Sequence, residues 1–209
     1  MNRLRALLST HLRTGAGLLA TVLFAASLVG PACLAATPDA QSEKPVPSDS
    51  VYQLPLTLTD QNGHAFALAD RRGTPTIVSM FYTSCQFACP TLIETIEMTR
   101  RQLGPAQRGN VAVLLVSFDP VRDTVGALHA AVVQHELDPD RWTLARTDPA
   151  SVRKLAALLG FRYKALPDGD FNHSTTLILL DREGRDVART NRLGVVDPEF
   201  VRQLEATAK

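Results

Sequence analysis

The residues best suited to chemistry are two cysteines, Cys85 and Cys89, which stand four positions apart. They follow an apolar run rich in β-forming residues, 76–82, and Pro90 directly after them favours the start of a helix. A helix N-terminus stabilises a negative sulfur through its free backbone N–H groups and its dipole. The sequence therefore predicts thiolate chemistry at the junction of a buried strand and a helix.

The spacing of the two cysteines allows their sulfurs to act together. On a helix, residues four apart share one face, with Cβ atoms about 5–6 Å apart. Two such thiolates can hold a soft metal ion, Cu(I) or Zn²⁺, or can form a disulfide after a small backbone adjustment. The alternative is a structural role, as a local staple or as core thiols. A domain of about 170 residues needs no staple, and so short a loop adds little stability, so we interpret the pair as functional.

Two thiolates leave a metal site open, and His173 is the best candidate for a third ligand. It precedes a predicted buried strand, 175–181, and the end of such a strand can face another loop at the sheet's edge. A single histidine at such a place is more often a surface residue, so the residues alone leave this role open. His129 and His135 lie about 240° apart on one predicted helix and do not converge. His64 follows a predicted turn and is interpreted as a surface residue.

The elements that position these residues alternate between strands and helices. Residues 54–68 alternate apolar and polar side chains around an Asn-Gly turn, which predicts a hairpin at one edge of the core. Strand, helix and strand over 76–118 predict a crossover unit with parallel strands. Further helices are expected at 123–137, at 148–159 and after 197, and further strands at 142–145, 161–165, 175–181 and 185–190. The pattern predicts an α/β fold with a mixed central sheet flanked by helices.

Several residues indicate where the helices begin and which faces they bury. Pro90 and Pro149 suit the first helical position, and Asp148 suits the position that caps the helix before Pro149. Asp123 and Thr124 can cap the helix that follows them. The helix after Cys89 has an apolar stripe at 3.6-residue spacing, which predicts that the opposite face, including Arg100, is exposed to water.

The N-terminal part of the chain differs from the rest in composition. Residues 1–36 combine three arginines near the start, an uncharged apolar run over 16–29 and a small-residue end, which is the layout of an export signal. The alternatives are an N-terminal membrane anchor, or a lipid attached at Cys33, for which Gly30 is atypical. Residues 37–50 are rich in proline and charge and predict a flexible tether, which leaves 51–209 as the folded domain.

The charge balance excludes one large class of partner. The chain without its leader carries 19 basic and 21 acidic side chains, a net charge of −2. Nucleic-acid binding is usually accompanied by a strongly basic face, so a nucleic-acid partner is not expected. Each interpretation of the leader places the domain outside the cytoplasm of a bacterial cell, where disulfides can form.

Three stretches resemble the Sco/SenC family of copper-binding assembly factors for cytochrome oxidase: FYTSCQFACPTL, VSFDPVRDT and FNHSTTLILLDREGR. Their order and spacing also fit, and the resemblance covers most of the chain from about residue 54 onward. It implies a thioredoxin-like fold, to which the N-terminal hairpin is an addition. It further implies that Cys85, Cys89 and His173 bind copper, as Cu(I) or, with an added external ligand or water, as Cu(II).

The resemblance extends to a loop near the site, and it has departures. The loop segment matches at Asp119 and Asp123, which the family places close to the copper, although helix capping is a sufficient explanation for Asp123. Asn172 stands before His173 where many members have an aspartate. An amide can orient an imidazole but cannot neutralise its charge, so this departure bears on the tuning of copper affinity.

Together these features predict a copper chaperone that delivers copper to a cytochrome oxidase subunit, with a Cys85–Cys89 disulfide as a redox-active state that does not bind metal. The alternative is an enzyme, a thiol–disulfide reductase that keeps a client's copper-ligand cysteines reduced and uses both cysteines in catalysis. A peroxide-reducing thiol enzyme and a structural or sensory domain are the remaining hypotheses. Expected partners are the oxidase subunit and an upstream copper donor or thiol reductant. The expected location is the periplasm or the outer face of the inner membrane.

Overall fold

The computed structural model describes residues 45–209. The strands are β1 (Thr57–Asp60), β2 (Ala65–Ala67), β3 (Thr76–Phe81), β4 (Ala112–Ser117), β5 (Trp142–Arg146), β6 (Tyr163–Ala165), β7 (Phe171–His173), β8 (Leu177–Leu180) and β9 (Asp186–Thr190). The helices are α1 (Ala88–Arg101), α2 (Pro105–Gly109), α3 (Val125–Gln134), α4 (Pro149–Leu159) and α5 (Pro198–Thr207). Short 3₁₀ turns lie at Val51–Gln53 and Leu68–Arg71.

Seven of these strands form one mixed sheet, in the order β2-β1-β5-β4-β3-β8-β9. The three central strands, β5, β4 and β3, run parallel, and β1 and β8 join them antiparallel on the two sides. Every residue of β3 and β4 is buried, as continuous apolar runs predict for strands covered on both faces. The predicted mixed sheet and the parallel pair joined through α1 are confirmed.

The edge hairpin is also confirmed. β1 and β2 pair antiparallel, with Leu58 opposite Phe66, and β1 attaches the hairpin to β5 at the sheet's edge. The turn between them contains Gly63 with a φ of 83°, a left-handed conformation that glycine adopts without a steric penalty. The Asn-Gly pair thus indicated the turn correctly.

The predicted start of α4 is confirmed, whereas α1 starts earlier than predicted. α4 begins at Pro149, and the carboxylate of Asp148 accepts two backbone N–H bonds from its first turn, as predicted. α1 begins at Ala88 rather than at Pro90, so Cys89 lies inside its first turn. Proline is tolerated there because the N–H groups of the first turn have no partner within the helix.

Arg100 corrects the prediction of an exposed polar face on α1, because its side chain is buried, with 4% of its surface exposed. Its Nη1 donates to Glu97 Oε1 at 2.7 Å, and the indole Nε1 of Trp142 donates to the same oxygen at 2.8 Å. A guanidinium can be buried when a carboxylate pairs with it, and the apolar stripe alone carried no sign of that pairing.

The last residue of the predicted tether contacts the folded part of the chain. Ser50, assigned from composition to the tether, is buried and pairs with Arg185, and its hydroxyl donates to the carbonyl oxygen of Glu183 at 2.5 Å. The leader, Cys33 and the first part of the tether lie outside the described residues, so their assignment stays a prediction. Within 45–209, no helix combines the length and the apolar character that crossing a membrane requires.

Candidate metal centre

The two cysteines lie where β3 leads into α1. Cys85 is half-buried in the connecting loop, and Cys89 is buried in the first turn of the helix. The backbone N–H of Cys89 donates to Cys85 Sγ at 3.3 Å. Neither side chain is in a disulfide. The arrangement is the one that the sequence predicted, a sulfur held by backbone N–H groups at a helix N-terminus.

His173 reaches the cysteines because β6 and β7 form a separate hairpin that stands beside the main sheet. The Sγ atoms of Cys85 and Cys89 and one ring nitrogen of His173 all lie within 4.8 Å of one another. The imidazole packs against two aromatic rings, with its centroid 5.1 Å from Phe118 and 5.7 Å from Tyr82. The structure therefore brings together the three residues that the sequence singled out. That they bind metal stays a prediction at this point.

The orientation of the imidazole is set by the backbone. Nδ1 of His173 lies 3.0 Å from the carbonyl oxygen of Ser174, to which it can only donate. This bond fixes the proton on Nδ1 and leaves the lone pair of Nε2 available as a ligand. Asn172 is exposed and is not the group that orients the ring. The departure at position 172 thus leaves the ring's orientation intact.

The electrostatics of the pair favour one thiolate and one thiol. The Cys89 thiol donates a hydrogen bond to Cys85, and backbone N–H groups of Cys89 and Phe87 add to it, which lowers the pKa of Cys85 to about 4 despite an opposing effect of burial. The same hydrogen bond and burial raise the pKa of Cys89. Cys85 is therefore ionised at neutral pH while Cys89 keeps its proton.

Tyr82 connects the cysteine loop to the hairpin that carries His173. Its hydroxyl donates to Asp170 in the β6–β7 turn, and its ring meets that of Phe171 edge to face, with centroids 5.2 Å apart. Burial and the hydrogen bond with Asp170 raise the pKa of Tyr82, so the hydroxyl remains a donor. The guanidinium of Arg122 lies over the Phe171 ring at 5.4 Å. Sequence reasoning did not find these contacts, because nothing in the pattern distinguishes Tyr82 from a core tyrosine.

Asp123 supports the cysteine loop and does not cap α3. Of the two residues predicted to cap this helix, Thr124 is the cap, and its side chain accepts from the N–H of Ala127. The fully buried carboxylate of Asp123 accepts bonds from the backbone N–H and the hydroxyl of Thr83 and from the hydroxyl of Ser117. Burial raises its pKa, although these donors oppose the shift. The carboxylate thus ties the residue two positions before Cys85 to the end of β4.

The other three histidines within residues 45–209 do not join the site. His64 is exposed and lies 3.5 Å from the carboxylate of Asp60, as expected for a surface residue beside a turn. His129 is exposed as well. His135 is half-buried and lines the same cavity of about 230 Å³ as the cysteine pair, with residues of α1 and α3.

The donor set fits a soft metal ion. Two sulfurs and one imidazole nitrogen are the ligands that Cu(I) prefers, and three of them suit a trigonal geometry. Cys85 and His173 are half-buried whereas Cys89 is buried, so a bound ion would have one protected ligand and two that face the surface. Asp119, the other acidic residue predicted near the site, pairs with Arg122 and keeps its carboxylate engaged there.

Comparison with known proteins gives a consistent result. The SCO1/SenC family model matches residues 46–207. The solved structure of Bradyrhizobium japonicum ScoI with copper bound is 30% identical, with a TM-score of 0.63, over 73% of this chain and 97% of that one. A SCO1/SenC family lipoprotein from Bacillus anthracis str. Ames has a TM-score of 0.67 at 19% identity, over 74% of this chain and 93% of that one. These likenesses confirm the expected thioredoxin-like fold.

A curated relative is similar over a shorter stretch. A protein from Stutzerimonas stutzeri, whose name proposes copper binding, is 32% identical over 69 residues. The match covers 33% of this chain and 34% of that protein, so the chain spans about a third of the length of this relative.

Proposed function

The chain belongs to the SCO1/SenC family, and on that premise we propose that it is a copper chaperone that delivers copper to a cytochrome oxidase subunit. Cys85, Cys89 and His173 would hold the ion as cargo. The observation that carries the proposal is the convergence of three soft-metal ligands within 4.8 Å from two separate parts of the chain. The copper-bound Bradyrhizobium relative supports the choice of metal.

The burial of the ligands favours transfer by stepwise ligand exchange. Cys85 and His173 are the half-buried ligands, so a client's donor atoms can replace them first, while Cys89 keeps hold of the ion. Because Cys85 is already a thiolate at neutral pH, uptake of copper requires only Cys89 to lose its proton. Exchange with a partner disulfide, which would take up the two electrons and become a dithiol, would convert the pair to a disulfide and remove both soft ligands, so the ion would be released.

The low pKa and the partial exposure of Cys85 also favour the second candidate function, a thiol–disulfide reductase. In that mechanism Cys85 would attack a client disulfide, and the buried thiol of Cys89 would resolve the mixed disulfide. His173 has no part in it. A variant without the imidazole therefore separates the two functions, since it should lose copper affinity and keep disulfide exchange.

We also propose that the domain works outside the cytoplasm, in the periplasm or at the outer face of the inner membrane. The composition of residues 1–36 supports this location, whether they act as a cleaved signal, an anchor or a lipidated segment. The proposed partners, an oxidase subunit with a copper site and an upstream copper donor or thiol reductant, would then meet the chain in that compartment.

The proposal is tested by a transfer experiment. The copper-loaded full chain is mixed under anaerobic conditions with the metal-free copper-binding domain of the oxidase subunit, and copper is measured on each protein after separation. We expect the copper to move to the oxidase domain. If the reduced chain instead reduces a disulfide in that domain and transfers no copper, the reductase function replaces the chaperone function.

A further inference from the structure

A groove lined with cations lies next to the metal site. We call it the basic groove and define it by Arg153, Arg162, Tyr163, Lys164, Asn172 and His173. It consists of two adjoining concavities of about 410 and 390 Å³ that share Arg162 and Tyr163. No aspartate or glutamate is among the described residues that line either concavity. The groove therefore carries positive charge without a compensating carboxylate.

The cations of the basic groove have no partners of their own. Within residues 45–209, the side chains of Arg153, Arg162 and Lys164 make neither a hydrogen bond nor an ion pair. Several other arginines of this part of the chain are paired, for example Arg122 with Asp119 and Arg72 with Glu183. Uncompensated cations on low-dielectric walls concentrate positive potential and attract anionic groups.

The position of the groove connects it to the metal site. In the β6–β7 hairpin Lys164 pairs with Asn172, and the next pair along the hairpin is Tyr163 with His173. The cation of Lys164 and the imidazole of His173 therefore belong to adjacent residue pairs. The amide of Asn172 adds no negative charge at this point. The hairpin's own carboxylates, Asp168 and Asp170, lie in its turn and line neither concavity. A negatively charged group in the groove would therefore lie beside a ligand of the ion.

We propose that the basic groove docks an acidic segment of the protein that exchanges copper with this chain. The proposal rests on the proposed function for the identity of that partner. Charge complementarity would orient the partner so that its own ligands approach the His173 side of the site, where ligand exchange can begin. An extended acidic chain fits the cations because they line concavities, whereas a planar anionic lipid surface reaches mainly cations that protrude.

A labelled acidic peptide tests the proposal directly. Binding of fluorescein-labelled decaglutamate to the reduced full chain is measured by fluorescence anisotropy at low and at high salt, beside decaglutamine as the uncharged reference. We expect Lys164→Glu to weaken decaglutamate binding about fivefold to tenfold, because an attraction becomes a repulsion. Asn172→Asp should weaken it in the same direction. The matched control is Arg101→Glu, which changes the net charge equally at the exposed far end of α1 and should leave the binding unchanged.

Three outcomes would overturn the proposal: equal binding of decaglutamate and decaglutamine, equal losses in Lys164→Glu and Arg101→Glu, or a Lys164→Glu defect seen only with phosphatidylglycerol vesicles. Copper titration of the same proteins keeps this test separate from the proposed function. We expect Lys164→Glu to bind copper as tightly as the unmodified chain. If the unmodified chain binds no copper, the chaperone function fails, while the peptide result still decides whether the groove is an acidic docking site.

Discussion

The ionisation of Cys85 gives the most quantitative prediction for the metal-free protein. In the reduced chain a hydrogen bond from the Cys89 thiol and nearby backbone N–H groups lower the pKa of Cys85 to about 4. An ordinary cysteine, with a pKa of about 8.5, is only about 3% ionised at pH 7. Cys85 should therefore be thiolate throughout the neutral range and should take up its proton only as the pH falls towards 4.

Two opposing effects of the low pKa on the alkylation rate decide whether the rate or its pH dependence should be measured. Full ionisation raises the thiolate fraction at pH 7 about 30-fold over an ordinary cysteine. The nucleophilicity of a thiolate falls with its pKa, and a shift of this size costs on the order of 100-fold in rate. The two effects nearly cancel, so the absolute rate of alkylation is uninformative. The midpoint of its pH dependence is the quantity that reports the environment of Cys85.

The assay is alkylation of the reduced full chain with iodoacetamide between pH 3 and pH 10, with peptide mass mapping to separate Cys85 from Cys33. Circular dichroism at each pH shows whether the fold persists. We expect a midpoint at about pH 4. Cys89→Ala removes the strongest hydrogen bond, one to a charged group worth about 1.5–3 kcal/mol, and should raise the midpoint by about one to two units. Cys89→Ser, which retains a donor, should stay closer to the unmodified chain.

The lowered pKa of Cys85 also makes the stability of the fold depend on pH. The folded pKa of Cys85 lies below the unfolded one, so its contribution to stability is present above the unfolded value and is lost as the pH falls through the folded value. A midpoint near pH 8.5 in the unmodified chain, or no change in Cys89→Ala, would refute the proposed hydrogen-bonded pair.

Two further predictions concern the support of the site and the fold. Asp123→Ala should cost about 3 kcal/mol in urea denaturation, because it leaves the donors of Thr83 without an acceptor. Asp123→Asn should cost less, because its amide oxygen still accepts a hydrogen bond. Burial raises the carboxyl pKa of Asp123, so the unmodified chain loses stability as the pH rises from the unfolded pKa through the folded one, and Asp123→Asn should not show this loss. Equal stability of both variants would show that the donors do not need this acceptor. Gly184→Ala should cost about 3 kcal/mol in the same assay, because the φ of Gly184 is 78° and the added Cβ would collide with the ring of Tyr52. Gly73→Ala should cost only about 1–2 kcal/mol, because Gly73 has a φ of 91° but open space around it. Equal losses in the two variants would mean that the collision with Tyr52 is relieved.

The fold could be predicted from the sequence where local signals agree with burial. The apolar runs of β3 and β4, the Asn-Gly turn and the cap at Asp148 each depend on a few neighbouring residues, and each prediction was confirmed. β7 was missed because a strand of three residues, Phe171–His173, has no periodicity of its own and exists through its pairing with β6. The burial of Arg100 was missed because it depends on Glu97, which lies on the same helix, and on Trp142, which does not.

Part of the site could likewise be predicted from local sequence, and part depends on tertiary packing. The cysteine pair at a helix N-terminus could be inferred from spacing and position, since both residues belong to one local segment. The place of His173 depends on how a hairpin packs against a distant loop. Its position before a predicted strand made it a candidate, and the resemblance to the Sco/SenC family was needed to assign it as a ligand. The tie from Tyr82 to Asp170 and the carboxylate of Asp123 beneath Thr83 depend on side-chain directions set by packing. A sequence pattern carries no information on such contacts.

The most direct test of the account is an anaerobic Cu(I) titration of the reduced full chain against a chromophoric competing chelator. Three proteins are compared: the unmodified chain, His173→Phe, which keeps a ring in the aromatic cluster but has no nitrogen, and His129→Ala as the control. Each ligand of a protein metal site contributes about 3 kcal/mol, so we expect His173→Phe to bind Cu(I) at least about 100-fold more weakly and His129→Ala to match the unmodified chain. Unchanged affinity in His173→Phe would contradict a three-ligand copper site.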